Sequence, residues 1–310
     1  MNPTQSNDPA NETGPQPSNL AQESSQQPNF KSEVLTIEKM GNISILWLDS
    51  PERRNAMGSH LWRDLPIAIN HLEKERDIRA IIVAAKGKSF TVGLDLKDAS
   101  LFQSAAQHSS GQSLLDKPPS QARQALDRRK EIKRLQDSIT SVANCKKPTI
   151  AMVHGHCIGG GIDLISACDI RISSADAIFS IRETKMSIVA DLGTLQRLPR
   201  IIGLGHFNEL ALTGKDINAN RAREIGLVND VYPDFDSAFA YACELANDIA
   251  ANSPLVVEGT KQVIRASLES TIDEGLEYVA NWNAAALISN DLMEAISAFM
   301  EKRPPQFEGN

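Results

Sequence analysis

The sequence predicts an α/β fold in which a sheet is covered by helices, and three observations favour this class. Short apolar, β-branched runs typical of strands alternate with stretches of helical period up to about residue 200. The rest of the chain is helical in pattern and rich in alanine. With 310 residues, 41% of them hydrophobic, the chain can also bury a sizeable core.

The first predicted elements follow the order strand, strand, helix, strand. Residues 34–38 and 43–48 are β-branched runs joined by Gly41-Asn42, a pair typical of hairpin turns. Residues 59–76 place leucine or isoleucine every three or four positions, which predicts an amphipathic helix. The apolar run over residues 80–85 predicts a buried strand.

The middle of the chain continues this alternation after a polar interruption. Residues 97–120, rich in Ser, Gln and Pro, are expected to form a mobile surface loop. A charged helix is predicted over residues 121–143, and an apolar strand over residues 149–153. Residues 169–173 and 178–181 predict two further short strands.

The pattern is helical from Leu204 onward, and we expect three regions in the chain. Residues 1–30 are rich in Pro, Gln, Asn and Ser and contain no Lys or Arg, which predicts a disordered polar tail. Residues 31–230 are expected to form the α/β core, and residues 231–310 a helical oligomerisation region. The tail has neither a signal-peptide nor a transit-peptide pattern, and the last residues are no peroxisomal signal, so a cytoplasmic location is expected.

Composition argues against several kinds of partner. Acidic residues outnumber basic ones, giving a formal net charge of −7, which opposes broad electrostatic binding to nucleic acid or anionic lipid. No apolar run reaches the roughly 20 residues that a membrane-spanning helix needs. The four cysteines form no CxxC pair, so we expect structural thiols and no metal site.

The chemical signal concentrates in a glycine-rich turn. Gly159, Gly160 and Gly161 follow a predicted strand and precede a helical stretch, so backbone N–H groups at the helix start can face a ligand and stabilise negative charge. A second turn, over residues 89–96, also follows a strand, and one donor from each turn would suit one enolate oxygen. The structural alternative is a tight turn with close helix packing.

Three acidic residues near the glycine-rich turn are candidates for proton transfer. Asp163, Glu183 and Asp191 have mainly apolar neighbours, and an apolar pocket raises the proton affinity of a carboxylate. The structural alternative is a role as a helix cap or as the salt-bridge partner of a nearby cation. The sequence offers three such cations: Arg171, Arg182 and Lys185.

Six landmarks follow one another along the chain: Ser-Pro-Glu-Arg-Arg-Asn-Ala-Met (50–57), Phe-Thr-Val-Gly-Leu-Asp-Leu (90–96), Lys-Pro-Thr-Ile-Ala-Met-Val-His-Gly (147–155), the triple glycine (159–161), Ala-Asp-Leu-Gly-Thr-Leu-Gln-Arg-Leu-Pro (190–199) and Phe-Met-Glu-Lys-Arg (299–303). With these landmarks in the family's order, the sequence from residue 34 to residue 309 resembles the enoyl-CoA hydratase/isomerase (crotonase) superfamily, and within it the dienoyl-CoA isomerases. The resemblance implies a crotonase-like spiral of ββα units with a C-terminal helical trimerisation region, often in a dimer of trimers.

The resemblance also implies which atoms act. Two backbone N–H groups of the family hold the substrate's thioester carbonyl, and they correspond here to Val92 and Gly160. The two glutamates of the hydratases correspond to Asp163 and Glu183, so the first is shortened by one methylene group. The dienoyl-CoA isomerases have Asp, Glu and Asp at all three positions, whereas simple hydratases usually have glycine where Asp191 stands.

The implied function is the isomerisation of 3,5-dienoyl-CoA to 2,4-dienoyl-CoA in the degradation of unsaturated fatty acids, with 2-enoyl-CoA hydration as the alternative. Glu183 would remove a proton at C2, Asp191 would deliver one at C6, and Asp163 would be a supporting polar group. No metal or redox cofactor is expected. A family member that only binds, for example to RNA, is a different alternative, which the three intact acids and the net charge of −7 oppose.

Coenzyme A contacts are also implied by the resemblance. Arg54, Asn55, Ala56 and Leu94 are candidates for the adenine and pantetheine contacts, and Lys302 for the phosphates across a subunit contact. Without the family, surface basic residues of this kind are usually only solvated. The resemblance thus implies an acyl-CoA thioester substrate and a homotrimer or homohexamer. The net charge and the short apolar runs predict no nucleic-acid partner and no membrane insertion.

Overall fold

The computed structural model describes residues 30–98 and 120–310. In this part of the chain six strands form the larger sheet: β1 (Leu35–Met40), β2 (Ile43–Leu48), β3 (Ala80–Ala85), β4 (Thr149–Val153), β6 (Ile170–Ser174) and β9 (Asp230–Tyr232). Their spatial order is β1-β2-β3-β4-β6-β9. β1 and β2 pair as an antiparallel hairpin, and the other neighbouring strands are parallel.

The smaller sheet places the triple glycine. It contains β5 (His156–Ile158), β7 (Ile178–Ser180) and β8 (Ile217–Asn218), with β7 between the other two. β5 follows β4 after only two residues, so the chain passes directly from one sheet to the other. The three glycines come at the end of β5, where the chain enters a short helix.

Ten α-helices lie within the described ranges. They are α1 (Ser59–Lys74), α2 (Gln121–Asn144), α3 (Gly160–Ala167), α4 (Thr194–Ile202), α5 (Leu204–Thr213), α6 (Ala219–Glu224), α7 (Phe235–Ala250), α8 (Pro254–Ser267), α9 (Ile272–Ala286) and α10 (Asn290–Glu301). The parallel strands and the helices between them confirm the predicted α/β class.

The central strands β2, β3 and β4 of the larger sheet are covered on both faces, which explains why they are almost entirely apolar. Along β2, Leu46 and Leu48 belong to the core that includes α1 and α3, whereas Ile45 and Trp47 belong to a separate core against α7. The face of α7 toward the sheet is a stripe of buried alanines: Ala238, Ala242, Ala246 and Ala250. Because these side chains are small, the helix can lie close to the strands.

Most predicted elements are present, with ends shifted by one or two residues. β2, β3 and β4 have the predicted bounds. The strands β5, β8 and β9 were not predicted, because a strand of two or three residues shows no readable period. Helix α4 was not predicted either. The tail over residues 1–30, apart from Phe30, and the loop over residues 97–120, apart from its ends, lie outside the described residues.

The C-terminal helices are attached to the core by polar contacts and leave apolar side chains exposed. The Lys261 ammonium of α8 donates to the Asp169 carboxylate at 2.6 Å and to the Lys147 carbonyl at 2.9 Å. On α9 and α10 the exposed large apolar residues include Ile272, Leu276, Met293, Phe299 and Met300. The division into a core and an oligomerisation region stays a prediction. Among the described residues, no helix is long and apolar enough to span a bilayer.

Candidate active site

The two predicted turns meet in the structure. Thr91 of the first turn and Cys157 of β5 form a parallel backbone bridge. Gly93 has a φ of +84°, and a Cβ on it would lie 2.8 Å from the Ile158 carbonyl oxygen and 3.7 Å from the Gly160 nitrogen. Only glycine fits this contact without strain, since both the left-handed backbone and the close approach exclude a side chain.

The glycine-rich turn presents free N–H groups at the start of α3. Gly159 adopts a φ of +54° and ends β5, and Gly160 is the first residue of the helix. Among the described residues, no acceptor binds the N–H groups of Gly160 and Gly161, whereas the Ile162 N–H donates to the Gly159 carbonyl at 2.7 Å. The first N–H groups of a helix lie at the positive end of its dipole, so this point favours a developing negative charge.

The N–H group predicted as the donor of the first turn, that of Val92, has an acceptor inside the fold. The Val92 N–H donates to the Arg54 carbonyl at 3.2 Å, so it is already used inside the fold. The Leu94 N–H has no acceptor in the described part of the chain. Met57 donates to the Gly93 carbonyl at 2.8 Å, and because N–H and C=O point in opposite directions in a trans peptide, the Leu94 N–H points away from Met57.

Glu183 lies beside the glycine-rich turn. A Cβ on Gly159 would lie 3.3 Å from the Glu183 Oε1 atom, and Oε2 is buried with no hydrogen-bond partner among the described residues. The pKa of Glu183 is raised to about 7, mainly by burial and also by the nearby carboxyl groups of Asp163 and Asp191. A carboxyl group with this pKa can exchange a proton near neutral pH.

Asp163 is fully buried one turn into α3. Its Oδ1 atom accepts a hydrogen bond from the Thr194 N–H at 2.7 Å, at the start of α4. Burial raises the pKa of Asp163 to about 6 despite the opposing effects of Thr194 and the Arg197 guanidinium. Asp163 thus connects α3 to the turn that carries Asp191.

Asp191 is half-buried, and its pKa is raised by burial. The side-chain amide of Gln136 on α2 donates to the Asp191 carbonyl at 2.7 Å. The structure therefore brings the three predicted acids together, because Asp191 also raises the pKa of both other carboxyl groups.

Within the described ranges, the three cations considered as salt-bridge partners of these acids form no ion pair with them. Arg171 donates to the carbonyls of Leu227 and Cys168, and Arg182 pairs with Asp216. No ion pair joins Lys185 to any of the three acids within the described ranges. The cation nearest to this role is Arg197, which the sequence analysis did not identify.

Neither Arg197 nor Gln136 was predicted as a site residue, although Arg197 lies within the landmark over residues 190–199. The Arg197 guanidinium donates to the Leu192 carbonyl at 3.2 Å and to the Thr140 hydroxyl at 3.3 Å. It occupies the space above Gly193, where a Cβ would lie 1.7 Å from its Nη1 atom. These contacts join α2 to α4 and to the turn of Asp191, which directly precedes α4 and is distant from α2 in the chain.

Of the candidate coenzyme A residues, Asn55 has a side chain that is used inside the fold, and its contact with coenzyme A stays a prediction. It is 3% exposed, and its side chain accepts from the Ser50 N–H and donates to the carbonyls of Lys86 and Ser89. Its amide group is therefore fully used in holding the first turn and is not open to a ligand.

The other candidate coenzyme A residues have different surroundings. Arg54 is exposed, Ala56 and Leu94 are half-buried next to the first turn, and Lys302 is exposed at the end of α10. Their contacts with coenzyme A stay predictions.

Comparisons with known proteins found relatives that match most of the chain. A model of the family described as enoyl-CoA hydratase/isomerase matches residues 38–310. A Delta(3,5)-Delta(2,4)-dienoyl-CoA isomerase of Dictyostelium discoideum, named mitochondrial, is 46% identical over 90% of this chain and 92% of its own length. One of Arabidopsis thaliana, named peroxisomal, is 42% identical over 89% of this chain and 96% of its own length.

These names contradict the cytoplasmic location that the sequence predicted. The prediction failed because a compartment is specified by short signals that receptors recognise, which neither the fold nor the overall composition constrains.

Solved structures share the fold. An enoyl-CoA hydratase of Bacillus anthracis superposes with a TM-score of 0.78 at 27% identity, covering 90% of this chain and all (100%) of the other. A putative enoyl-CoA hydratase of Streptomyces coelicolor also gives a TM-score of 0.78 at 27% identity, covering 94% of this chain and 100% of the other. The fold is therefore the predicted crotonase-like one, and the chain belongs to the enoyl-CoA hydratase/isomerase family.

Proposed function

We propose that the chain is a Δ3,5-Δ2,4-dienoyl-CoA isomerase, which moves both double bonds of a 3,5-dienoyl-CoA thioester into conjugation with the carbonyl. The observation that carries this proposal is the set of three carboxyl groups, Asp163, Glu183 and Asp191, gathered beside backbone N–H groups, among them those of Leu94 and Gly160, that have no acceptor in the described part of the chain. The reaction removes one proton and adds another four carbons away, which requires more than one acid–base group. No electron is gained or lost, so no redox cofactor is needed.

In this proposal the N–H groups of Leu94 and Gly160 bind the thioester oxygen. They stabilise the negative charge that develops on that oxygen when C2 loses its proton. Removal of one such donor typically lowers kcat by about 10²–10³-fold. Leu94 takes the place of Val92 in the earlier expectation, because the Val92 N–H is bound to the Arg54 carbonyl.

Glu183 is the base at C2. C2 is bonded to the carbonyl carbon, so the base must lie close to the atoms that bind the carbonyl oxygen. The Glu183 carboxyl meets this condition through its position beside Gly159. The electron pair of the broken C2–H bond first forms the C1=C2 double bond of the dienolate and places the negative charge on the thioester oxygen. When the carbonyl re-forms, this pair moves to C2=C3, the C3=C4 pair moves to C4=C5, and the C5=C6 pair is left at C6.

Asp191 is the acid at C6, and Asp163 holds it in position. The raised pKa of Asp191 favours the protonated form that a proton donor needs. Asp163 accepts the Thr194 N–H, three residues after Asp191, and so fixes the turn that carries the donor. The shift of the double bonds leaves an electron pair at C6, which takes the Asp191 proton.

The second candidate function is 2-enoyl-CoA hydration. A short-chain-enoyl-CoA hydratase of Clostridium acetobutylicum is 30% identical over 86% of this chain, and two carboxyl groups such as Asp163 and Glu183 could activate water. A direct test incubates the purified protein with a medium-chain 3,5-dienoyl-CoA and follows the ultraviolet band of the conjugated product. Hydration of a 2-enoyl-CoA is measured in parallel. Hydration without isomerisation would refute the proposal.

The variant Asp191→Asn separates the two functions. It removes the proton donor but keeps the shape and polarity of the side chain. We expect isomerisation to fall by about 10²–10⁴-fold, the usual contribution of a general acid, while the affinity for the thioester is retained. Near wild-type isomerisation by this variant would contradict the role of Asp191.

The biological assembly of the proposed isomerase is a trimer or a dimer of trimers. The exposed apolar residues on α9 and α10 support this assembly, since monomeric proteins rarely expose large apolar patches. The degradation of unsaturated fatty acids is the process that would supply a 3,5-dienoyl-CoA substrate. Sedimentation of the purified protein tests the assembly.

A further inference from the structure

We propose that Thr91 is a positioning residue that sets the placement of the Leu94 N–H group relative to the Gly160 N–H group. The inference rests on the proposed function, because it concerns the two donors that would bind the thioester oxygen. Thr91 is 0% exposed, so it does not contact substrate. It contacts both turns of the site, and each part of the residue has a separate role.

The hydroxyl group of Thr91 shapes the first turn through two hydrogen bonds. It donates to the Asn55 carbonyl at 2.6 Å and accepts from the Gly93 N–H at 3.1 Å. The Gly93 carbonyl is bound in turn by the Met57 N–H at 2.8 Å. Both polar groups of Gly93 are therefore fixed, and the Leu94 N–H, which shares a peptide with the Gly93 carbonyl, has its direction fixed as well.

The backbone and the methyl group of Thr91 contact the second turn. The Thr91 N–H donates to the His156 carbonyl at 2.9 Å, and the Thr91 carbonyl accepts from the Ile158 N–H at 3.1 Å. A Cβ on Gly161 would lie only 2.5 Å from the Thr91 methyl carbon. The methyl group thus packs directly against the glycine that follows Gly160, and the same side chain touches both donor segments.

The variant Thr91→Val tests the hydroxyl while keeping the shape of the side chain. It leaves the methyl packing in place and removes both hydrogen bonds, so the Gly93 N–H is free to turn. A displacement of about 1 Å in a catalytic group can cost about 10²-fold in rate. We expect kcat to fall by about 10²-fold with little change in KM, because the donors bind the dienolate more strongly than the substrate.

The variant Thr91→Ser is the conservative comparison. It keeps the hydroxyl and loses only the methyl group, so we expect kcat to stay close to that of the unaltered protein. Thr149→Val is the matched control, because Thr149 is also buried and its hydroxyl also binds a partner, the Asp169 carboxylate at 2.9 Å, outside the site. It should leave kcat unchanged.

A spectroscopic measurement distinguishes positioning from a loss of folded protein. Bound 2,4-dienoyl-CoA should absorb at longer wavelength than free 2,4-dienoyl-CoA, because two donors on the carbonyl oxygen polarise the conjugated system. Thr91→Val should reduce this shift, and Thr91→Ser should retain it. If thermal unfolding shows that Thr91→Val does not fold, Thr91→Ala replaces it, since Ala and Ser differ only in the hydroxyl.

Two outcomes would overturn the inference. One is a Thr91→Val protein with unaltered kcat and band shift, and the other is a Thr91→Ser protein that loses as much as Thr91→Val. Absence of both turnover and band shift in the unaltered protein would instead refute the proposed function, and this inference with it.

Discussion

Replacing Asp163 by Asn should make the protein more stable at neutral pH. Asp163 is 1% exposed, and burial raises its pKa from the ordinary value of 3.8 to about 6. Asparagine has nearly the same shape, and its side-chain oxygen can still accept the Thr194 N–H. The substitution therefore removes a buried charge and keeps the hydrogen bond from the Thr194 N–H group. It removes a carboxyl group from the proposed active site.

The pH dependence of this gain follows from the sign of the pKa change. The folded state binds the Asp163 proton more tightly than the unfolded state. Protonated Asp163 therefore contributes fully to the free energy of unfolding below about pH 4, and this contribution is lost as the pH rises through about 6. The difference between 3.8 and about 6, at about 1.4 kcal/mol per pKa unit, corresponds to about 3 kcal/mol. Asp163→Asn should therefore exceed the unaltered protein by up to about 3 kcal/mol at about pH 8 and match it near pH 4.

Urea unfolding followed by tryptophan fluorescence, at equal protein concentration and several pH values, measures this difference. Asp64→Asn is the control of opposite sign. Although Asp64 is also buried, hydrogen bonds from Arg63 and Ser32 lower its pKa, so its loss should destabilise the protein at neutral pH. An Asp163→Asn protein that is no more stable at about pH 8, or equally stabilised at about pH 4, would refute the reasoning.

Two further predictions concern catalysis by the site. The kcat/KM of isomerisation should change with pH around about 7, where Glu183 gains or loses its proton, and Glu183→Gln should abolish both this change and most of the activity, since the base is lost; a pH-independent kcat/KM in the unaltered protein would contradict this role. Gly93→Ala should lower kcat, because its Cβ would lie 2.8 Å from the Ile158 carbonyl oxygen and separate the two turns. Gly41→Ala is the matched control, since Gly41 also has a positive φ, +60°, but has nothing within 4 Å of its Cβ position. Steady-state kinetics on both variants would measure the two kcat values. An equal loss of kcat in both would contradict the prediction, since it would show that backbone strain alone lowers kcat.

The strands and acids that the sequence identified share a physical basis, because both are specified by near neighbours in the chain. β3 and β4 are apolar runs bounded by polar residues, and their bounds were predicted correctly. Asp163, Glu183 and Asp191 were recognised by apolar neighbours, and the structure places them together with raised pKa values. The glycine-rich turn was recognised because only glycine permits its backbone. The order of the six landmarks along the chain also identified the family.

The sequence could not show which polar groups are hydrogen-bonded inside the fold and which remain open to a ligand. Val92, Leu94 and Asn55 all lie in or beside recognisable motifs, yet the Val92 N–H is bound by Arg54 and the Asn55 amide by the carbonyls of Lys86 and Ser89. The Thr91 hydroxyl likewise binds a carbonyl that is distant in the chain. A hydrogen-bonding group that is satisfied inside the fold is not available to a ligand, and that depends on which segments folding brings together. The sequence therefore determined the elements, the acids and the glycines, and the tertiary structure alone decided which N–H groups remain free to bind an oxygen atom.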